Sequence, residues 1–403
     1  MITGISIMIL AVLHADFGDA YWLMGANNIL TTQRLDPVVY PNMVSTHVHS
    51  VLGGSNFGIN ASSDNLRRSA CTSIPIPQDK SNYWFPQLYF QWQNGTFTSV
   101  NGNAVIEKSG YTKPFPDDFR MISGDPNLRT FDASSFAQQA VTYLCLDFSK
   151  TSGKFNELPK GRCRSGIRSQ INFPSCWDGK NSDSPDHKSH VAFLSTGPDN
   201  GTCNDPNFPV TIPRIFLEVY WNTPIFDVFR PRAMVPDQPF VFSNGDPTGY
   251  GYHADFINGW EPGVLQRAVN ECNCNPYGDP TCCAAQQIFT IDQNTNCYIT
   301  DTVDEATTGI LAALPGNNPV QAGCYEEYFE TSTPALLSPI FVYNEMGDLL
   351  PPKGSIFIPS TTRNVTQTAR GTCIRNWGAV SYKLDFVLVN MMALGLLYGV
   401  FFV

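Results

Sequence analysis

The sequence predicts a mainly β protein: a disulfide-stapled β-sandwich or jelly-roll-like core with long ordered loops and a few short helices. Three observations lead there. Gly, Pro and aromatic residues are plentiful, with 31 Gly, 30 Pro and 27 Phe, while runs of helix-forming Lys, Glu and Ala are few. That balance favours strands and ordered loops over helical bundles. Arg214–Trp221, RIFLEVYW, alternates: Ile215, Leu217, Val219 and Trp221 share one face and Phe216, Glu218 and Tyr220 the other, the period of a half-buried strand. The twelve cysteines include no pairs at zinc-finger spacing, a usage that points to disulfides in an oxidising compartment.

At 403 residues the chain is long enough to bury a large core. Its formal charge of −10 offers no basic patch to displace phosphate counterions, which argues against nucleic acid. Sequons at Asn60, Asn94, Asn200 and Asn364 fit an exported glycoprotein. Ile5–Leu13 is apolar and Gly18-Asp-Ala20 offers small residues for cleavage, so residues 1–20 are expected to be a signal peptide. Phe386–Val403 is apolar with no basic flank after it. Residues 379–403 are expected to be either the removed tail of a GPI anchor, attached at Asn376 or Gly378, or a retained membrane span. The expected setting is extracellular, at a cell surface or in a cell wall.

Residues 21–272 are expected to form the main domain. Pro37 and Pro41 make the stretch before the first histidines an extended edge. Ser81–Trp92 is rich in strand formers, and Asn94-Gly95 turns it into Phe97–Val100. Its aromatics suit either a core or a sugar groove. Ala140–Phe148 reads as a strand. Cys163 and Cys176 bracket the next segment, where a staple would fix the start of the following loop. Phe240–Asp246 leaves a strand for a glycine-rich turn, and Pro262–Cys272 reads as a helix with Leu265, Ala268 and Val269 on one face. Cysteines crowd residues 273–330, an expected cap or appendage. Five cysteines lie upstream of Cys272, so one must pair downstream or stay free, and Cys272 is the expected partner. Residues 331–378 are Pro-, Ser- and Thr-rich and read as a stalk.

Apart from His14, every histidine falls in three polar blocks: Ser45–His49, Cys176–His190 and Ser243–Trp260. The middle block, CWDGKNSDSPDHKSH, gathers Asp178, Asp183, Asp186, His187 and His190. The three blocks are expected to be walls of one site. Asp178, Asp186, Glu218, Asp246 and Asp255, with His187, His190 and His253, are the candidates for acid–base work. Glu218, flanked by aromatics, suits a raised carboxyl pKa or else a half-exposed sheet face. Arg120, Trp177, Tyr250, Tyr252 and Trp260 are the candidates for substrate contact. His47 and His49, two apart on an extended segment, point to one side and suit a zinc or copper ligand pair, although hydrogen bonds in a polar cleft would also account for them.

The blocks RLDPVVYP, STHVHSVLGG, DKSNYW, PFPDDFRMISGDP, CWDGKNSDSPDHKSHVA and FSNGDPTGYGYHADFINGW resemble those of a secreted fungal family of unknown function. Its members are sometimes joined to WSC-type carbohydrate-binding modules. The resemblance covers about residues 21–272 and implies a fungal extracellular or cell-wall setting, but no catalytic mechanism. Where that family shows a CxxC, this chain has Cys71 and Ile74, which implies that one family disulfide is missing or rewired.

Three functions compete. The first is cleavage of a cell-wall polysaccharide by Asp, Glu and His acid–base chemistry, as a hydrolase or as a lyase using Arg120 to hold a uronate. The second is a zinc or copper centre built on His47 and His49 with His190 or His253. The third is a non-catalytic wall glycan binder whose polar residues only knit loops together.

Overall fold

The computed structural model describes residues 21–109, 112–345 and 352–358. The expected signal peptide, the Asn364 sequon, the C-terminal anchor segment and part of the stalk lie outside them. Among the described residues no helix is long and apolar enough to cross a membrane.

The chain is mainly β, as its composition and alternation predict. In order the strands are β1 (Tyr21–Gly25), β2 (Thr31–Gln33), β3 (His49–Gly53), β4 (Asn82–Pro86), β5 (Leu88–Gln91), β6 (Phe97–Ser99), β7 (Gly102–Ser109), β8 (Arg120–Gly124), β9 (Val141–Cys145), β10 (Gly153–Phe155) and β11 (Ile167–Asn172). Then come β12 (Cys176–Trp177), β13 (Val191–Ala192), β14 (Val210–Thr211), β15 (Arg214–Trp221), β16 (Phe240–Phe242), β17 (His253–Ile257), β18 (Tyr298–Ile299) and β19 (Ile310–Leu311). A six-stranded antiparallel sheet runs β1-β7-β15-β11-β9-β10, and a five-stranded one runs β2-β3-β4-β17-β8. Smaller sheets, β16-β5-β6-β19 and β13-β12-β14, flank them.

One apolar cluster takes inward residues from both large sheets: Trp22, Ile106, Leu217 and Val219 from the first, and Leu52, Tyr83, Phe85, Met121 and Phe256 from the second. Phe85 meets Trp221 across it, ring centroids 6.0 Å apart. The alternation of RIFLEVYW is met in full: Ile215, Leu217, Val219 and Trp221 are all buried there. The helix Val264–Glu271 buries Val264, Leu265, Ala268 and Val269 against the same cluster.

The five-stranded sheet is buried on its other face as well. Val51, Trp84, Ile122 and Ile257 pack there with Leu35, Val38, Cys297, Ile299 and Val303. Segments from both ends of the described chain therefore close over this sheet. That second face carries the candidate site.

The disulfides correct two expectations. Cys163 pairs with Cys145 and Cys176 with Cys203, so no staple joins Cys163 to Cys176. Cys163 lies beside β9, whereas Cys176 opens β12 beyond the far end of β11, so the intervening strand separates them. Cys272 does not take the odd upstream cysteine. It closes on Cys283 at the next helix, Cys274 pairs with Cys282, and Cys71 reaches Cys297 across 226 residues.

Candidate functional site: three histidines and a buried carboxylate

Strand periodicity explains how the site forms. In β17, HADFI, Ala254 and Phe256 enter the sandwich core, which turns His253, Asp255 and Ile257 to the opposite face. In β3, His49 lies on the same face as Val51. Val51, Trp84 and Asp255 form one row across the sheet. His49 opposes Pro86 in the next row, which is also the row His253 reaches. Two strands apart is about 10 Å between backbones, and two imidazoles facing each other span it. Gly124 opposes His253 on β8 at a φ of +80°, and a Cβ there would lie 2.4 Å from the Tyr252 carbonyl oxygen. Only glycine fits that contact.

His47, just ahead of β3, folds onto the same point. Its Nε2 is 2.9 Å from His253 Nε2, and His49 Nε2 is 3.4 Å from His253 Nε2. The other ring nitrogens are engaged elsewhere. His49 Nδ1 donates to the Leu35 carbonyl at 2.9 Å, and His253 Nδ1 donates to the Gly251 carbonyl at 3.0 Å. His47 Nδ1 is 3.1 Å from Thr46 Oγ1. A carbonyl only accepts, so His49 and His253 each carry the proton on Nδ1 and turn an Nε2 lone pair inward. Burial pushes His253 down to about 4. It also holds His47 and His49 well below the usual imidazole range, and neighbouring imidazoles add to the shift. The cluster is therefore neutral at physiological pH: His49 and His253 turn lone pairs on one point, where His47 Nε2–H donates to His253 Nε2 and a metal ion would take the place of that proton.

Two carboxylates stand beside them. Asp36, His49 and Asp255 present ligand atoms within 4.8 Å of one another, as do His47, His49 and His253. Asp36 accepts the Val38 and Val39 amides at 3.1 and 2.9 Å. Both Asp255 carboxylate oxygens are buried without a hydrogen-bond partner. Burial pushes Asp36 up to about 6, and burial together with Asp36 holds Asp255 well above the usual carboxylate range. An unpaired buried carboxylate is costly, and a metal ion would satisfy it. A tetrahedral zinc with bonds of about 2.0–2.1 Å sets its ligand atoms roughly 3.3 Å apart, close to the His49–His253 spacing. His47, His49 and His253 are thus the residues that would hold a metal, with Asp255 beside His49. The backbone carbonyls bound to Nδ1 of His49 and His253 fix their tautomer and ring orientation, as the groups behind metal-binding histidines do.

The cluster opens into a cleft of about 550 Å³, lined by Asp36, Tyr40, Thr46, His47, Asp125, Asp186, His187, Lys188, His253, Asp255, Tyr325 and Glu327 among others. His187 and Asp186 come from the middle histidine block, which docks on β8 through Ile122 N–H to the His187 carbonyl at 3.0 Å and Arg120 N–H to the Ser182 carbonyl at 3.0 Å. All three histidine blocks therefore reach one cleft.

Other sequence candidates sit elsewhere. Glu218 faces away from the sandwich core, paired with Arg168 at 2.9 Å, because its strand turns the alternate residues inward. Asp246 is buried in the glycine-rich turn and accepts the amides of Thr248, Gly249 and Gly251. It shapes the turn that supplies the Gly251 carbonyl to His253. Asp178 caps its own turn through the Lys180 and Asn181 amides, and Trp177 Nε1 donates to the Asn181 carbonyl. His190 ties the loop down, with Nε2 to the Arg120 carbonyl and Nδ1 to Ser184 Oγ, both at 2.9 Å. Arg120 lies 3.7 and 3.8 Å from the Asp118 and Asp183 carboxylates. Tyr252 and Trp260 are core residues, and Tyr250 donates to Glu157 at 2.9 Å.

Sequence reasoning passed over Asp36, Lys188, Tyr325 and Glu327. Asp36 left a signal: Asp-Pro-Val-Val just before HxH is an Asx turn, with the side chain accepting the next amides. Tyr325 and Glu327 follow Cys324 in a loop with no marking of its own.

A family model described as a domain of unknown function (DUF1996) matches residues 36–260. The match begins at Asp36 and ends just past Asp255, so it encloses the whole histidine–carboxylate cluster. No curated protein and no solved structure matches the chain.

Proposed function

The chain belongs to the DUF1996 family, and from the site inside that match we propose a metal-centred hydrolase, exported to the cell surface or cell wall and acting on a wall polysaccharide. The observation that carries this reading is the convergence of three Nε2 atoms, two of them turned inward as lone pairs, beside the partnerless Asp255 side chain. Of the sequence-based alternatives, this favours the histidine metal centre. Zinc is the ion we favour, because three imidazoles leave the fourth tetrahedral position open for water, as at catalytic zinc sites. Bound there, zinc would polarise a carbonyl or acidify a water. The cleft provides substrate access, and its hydroxyl- and carboxylate-bearing walls suit a sugar. The disulfides support export.

The test is elemental analysis of protein secreted by a eukaryotic host and purified without chelators. About one zinc per chain is expected, together with product release from wall polysaccharide that ceases on chelation and returns with zinc. Copper in place of zinc would redirect the chemistry, and a chain that takes up no metal even when supplied would sink the reading.

A further inference from the structure

We propose that the bond this centre hydrolyses is an acyl bond, in an ester or amide substituent of an uncharged polysaccharide, and that His187 protonates the departing atom. The inference rests on the metal-centred reading above and adds the bond, the proton donor and the charge of the substrate.

The first observation is the placement of the carboxylates. Glycosidic hydrolysis by a carboxylate pair needs one on each side of the scissile bond, roughly 5–9.5 Å apart. The two carboxylates nearest the ligand atoms, Asp36 and Asp255, stand side by side, both within 4.8 Å of a His49 ligand atom, and a glycosidic bond offers a metal ion no carbonyl oxygen to polarise. Acyl hydrolysis asks instead for a cation at the carbonyl oxygen, a base for water and an acid for the leaving atom. Asp36, beside the ligands in the same cleft, fits the base.

The second observation is His187. Its φ is +56°, a conformation that residues with side chains adopt at a cost of about 1–3 kcal/mol and that clusters at functional sites. The surrounding contacts hold it there: its amide donates to the Ser184 carbonyl at 2.9 Å and its carbonyl accepts from Ile122. Its Nδ1 is 2.7 Å from Asp183 Oδ1, which orients the ring and leaves Nε2 for a ligand in the cleft; the proton donor in the step is the Nε2–H of the imidazolium paired with that carboxylate. His187 and Asp36 line the same cleft, so the proposed acid and base face one space.

The third observation is charge. Asp125, Asp186 and Glu327 line the cleft, and its one lysine, Lys188, donates to the Gly124 carbonyl at 2.6 Å. Arg120, expected from sequence to hold a uronate, is turned to Asp118 and Asp183. Uronates and phosphates would meet repulsion here, whereas a neutral acylated sugar would not.

In the step, the water oxygen bonds to the carbonyl carbon while a water proton passes to Asp36. The bond from carbon to the sugar oxygen or nitrogen then breaks. Its electron pair stays on that atom, which takes the proton from His187. The products are a carboxylic acid and a free hydroxyl or amine. The proton on Asp36 returns to His187 through solvent, and nothing is oxidised or reduced.

The experiment uses the zinc-loaded full chain with 4-nitrophenyl acetate, ethyl acetate and acetylated xylan. Departing 4-nitrophenolate needs no proton, whereas departing ethoxide does. We expect His187→Asn, chosen because Asn tolerates positive φ, to keep its zinc and hydrolyse 4-nitrophenyl acetate within about threefold of the parent. On ethyl acetate and the xylan it should lose about 100-fold or more, the scale of general acid catalysis. Asp183→Asn should shift both in the same sense by about tenfold. Equal losses on the two small esters, loss of zinc from His187→Asn, or a zinc-loaded parent that releases no acetate would each overturn the proposal. A parent that binds no zinc shows itself before any ester is added, and takes the metal reading down with it.

Discussion

His47 and His253, 206 residues apart, bring their Nε2 atoms to 2.9 Å while the Nδ1 of His253 is committed to the Gly251 carbonyl. Replacing His253 by Ala should cut bound zinc from about one equivalent to under a tenth and weaken zinc affinity at least 100-fold. Titration against a competing chelator measures both. Full occupancy in that variant would remove His253 from the ligand set.

Asp255 should couple the metal to stability. At 100 times its dissociation constant a ligand adds about 2.7 kcal/mol to the folded state. The parent should therefore melt several degrees higher with saturating zinc. Asp255→Asn, which keeps the shape but removes the charge beside His49, should lose most of the zinc increment. Thermal unfolding with and without zinc, by circular dichroism, decides it; an increment of parental size in the variant would show that Asp255 contributes nothing to metal binding.

The loop 178–190 should loosen in acid. Burial tends to raise the Asp186 carboxyl, but the Ser189 and Lys188 amides and the Ser189 and Ser184 hydroxyls pull it well below the usual range. Asp183 and Asp178 are lowered too, against burial, by His187 and by turn amides respectively. A folded pKa below the unfolded one means stability that is present above pH ~4 and lost as pH falls through the folded values. Hydrogen exchange of the loop amides, corrected for intrinsic rate, should show protection at pH 5 that is largely gone by pH 2. Unchanged protection at pH 2 would show that these hydrogen bonds contribute little.

Lys108 and Asp79 form an ion pair at 3.0 Å with neither side chain exposed, the ammonium 4.6 Å from the Trp260 ring centroid. Removing one partner strands the other charge, so Lys108→Met should cost about 3–5 kcal/mol. Adding Asp79→Asn should recover a good part of that. Urea unfolding gives the numbers, and a single variant as stable as the parent would contradict the pairing.

The disulfide Cys176–Cys203 closes a separation of 27 residues at the base of the same loop. Its removal as a double Ser variant should cost about 3 kcal/mol and leave zinc stoichiometry unchanged, because none of the proposed ligands lies within it. Zinc lost in proportion to stability would mean that the loop and the metal cluster fold as one unit.

Where a local rule decides, the sequence was a sufficient guide. Residue alternation placed β15 with Ile215, Leu217, Val219 and Trp221 inward, and helical spacing placed Leu265, Ala268 and Val269. Asn94-Gly95 gave the turn between β5 and β6. The grouping of histidines in three polar blocks pointed to one cleft, and all three blocks reach it. Individual roles were harder to read. Glu218 and Asp255 are both strand carboxylates with aromatic or apolar neighbours in sequence. Glu218 lies on the face turned from the core with an arginine beside it, and Asp255 lies on a buried face with no partner.

Composition, periodicity and turn chemistry are properties of short stretches, so the chain alone determined a β-rich, disulfide-linked fold and the residue types of its site. Tertiary structure decided which residues meet. Strand register put His49 and His253 in one row across Pro86, long-range closure brought Cys71 to Cys297, and burial left Asp255 without a partner. Those outcomes depend on pairings across 200 residues or more and on the local dielectric, and neither is written in any single segment.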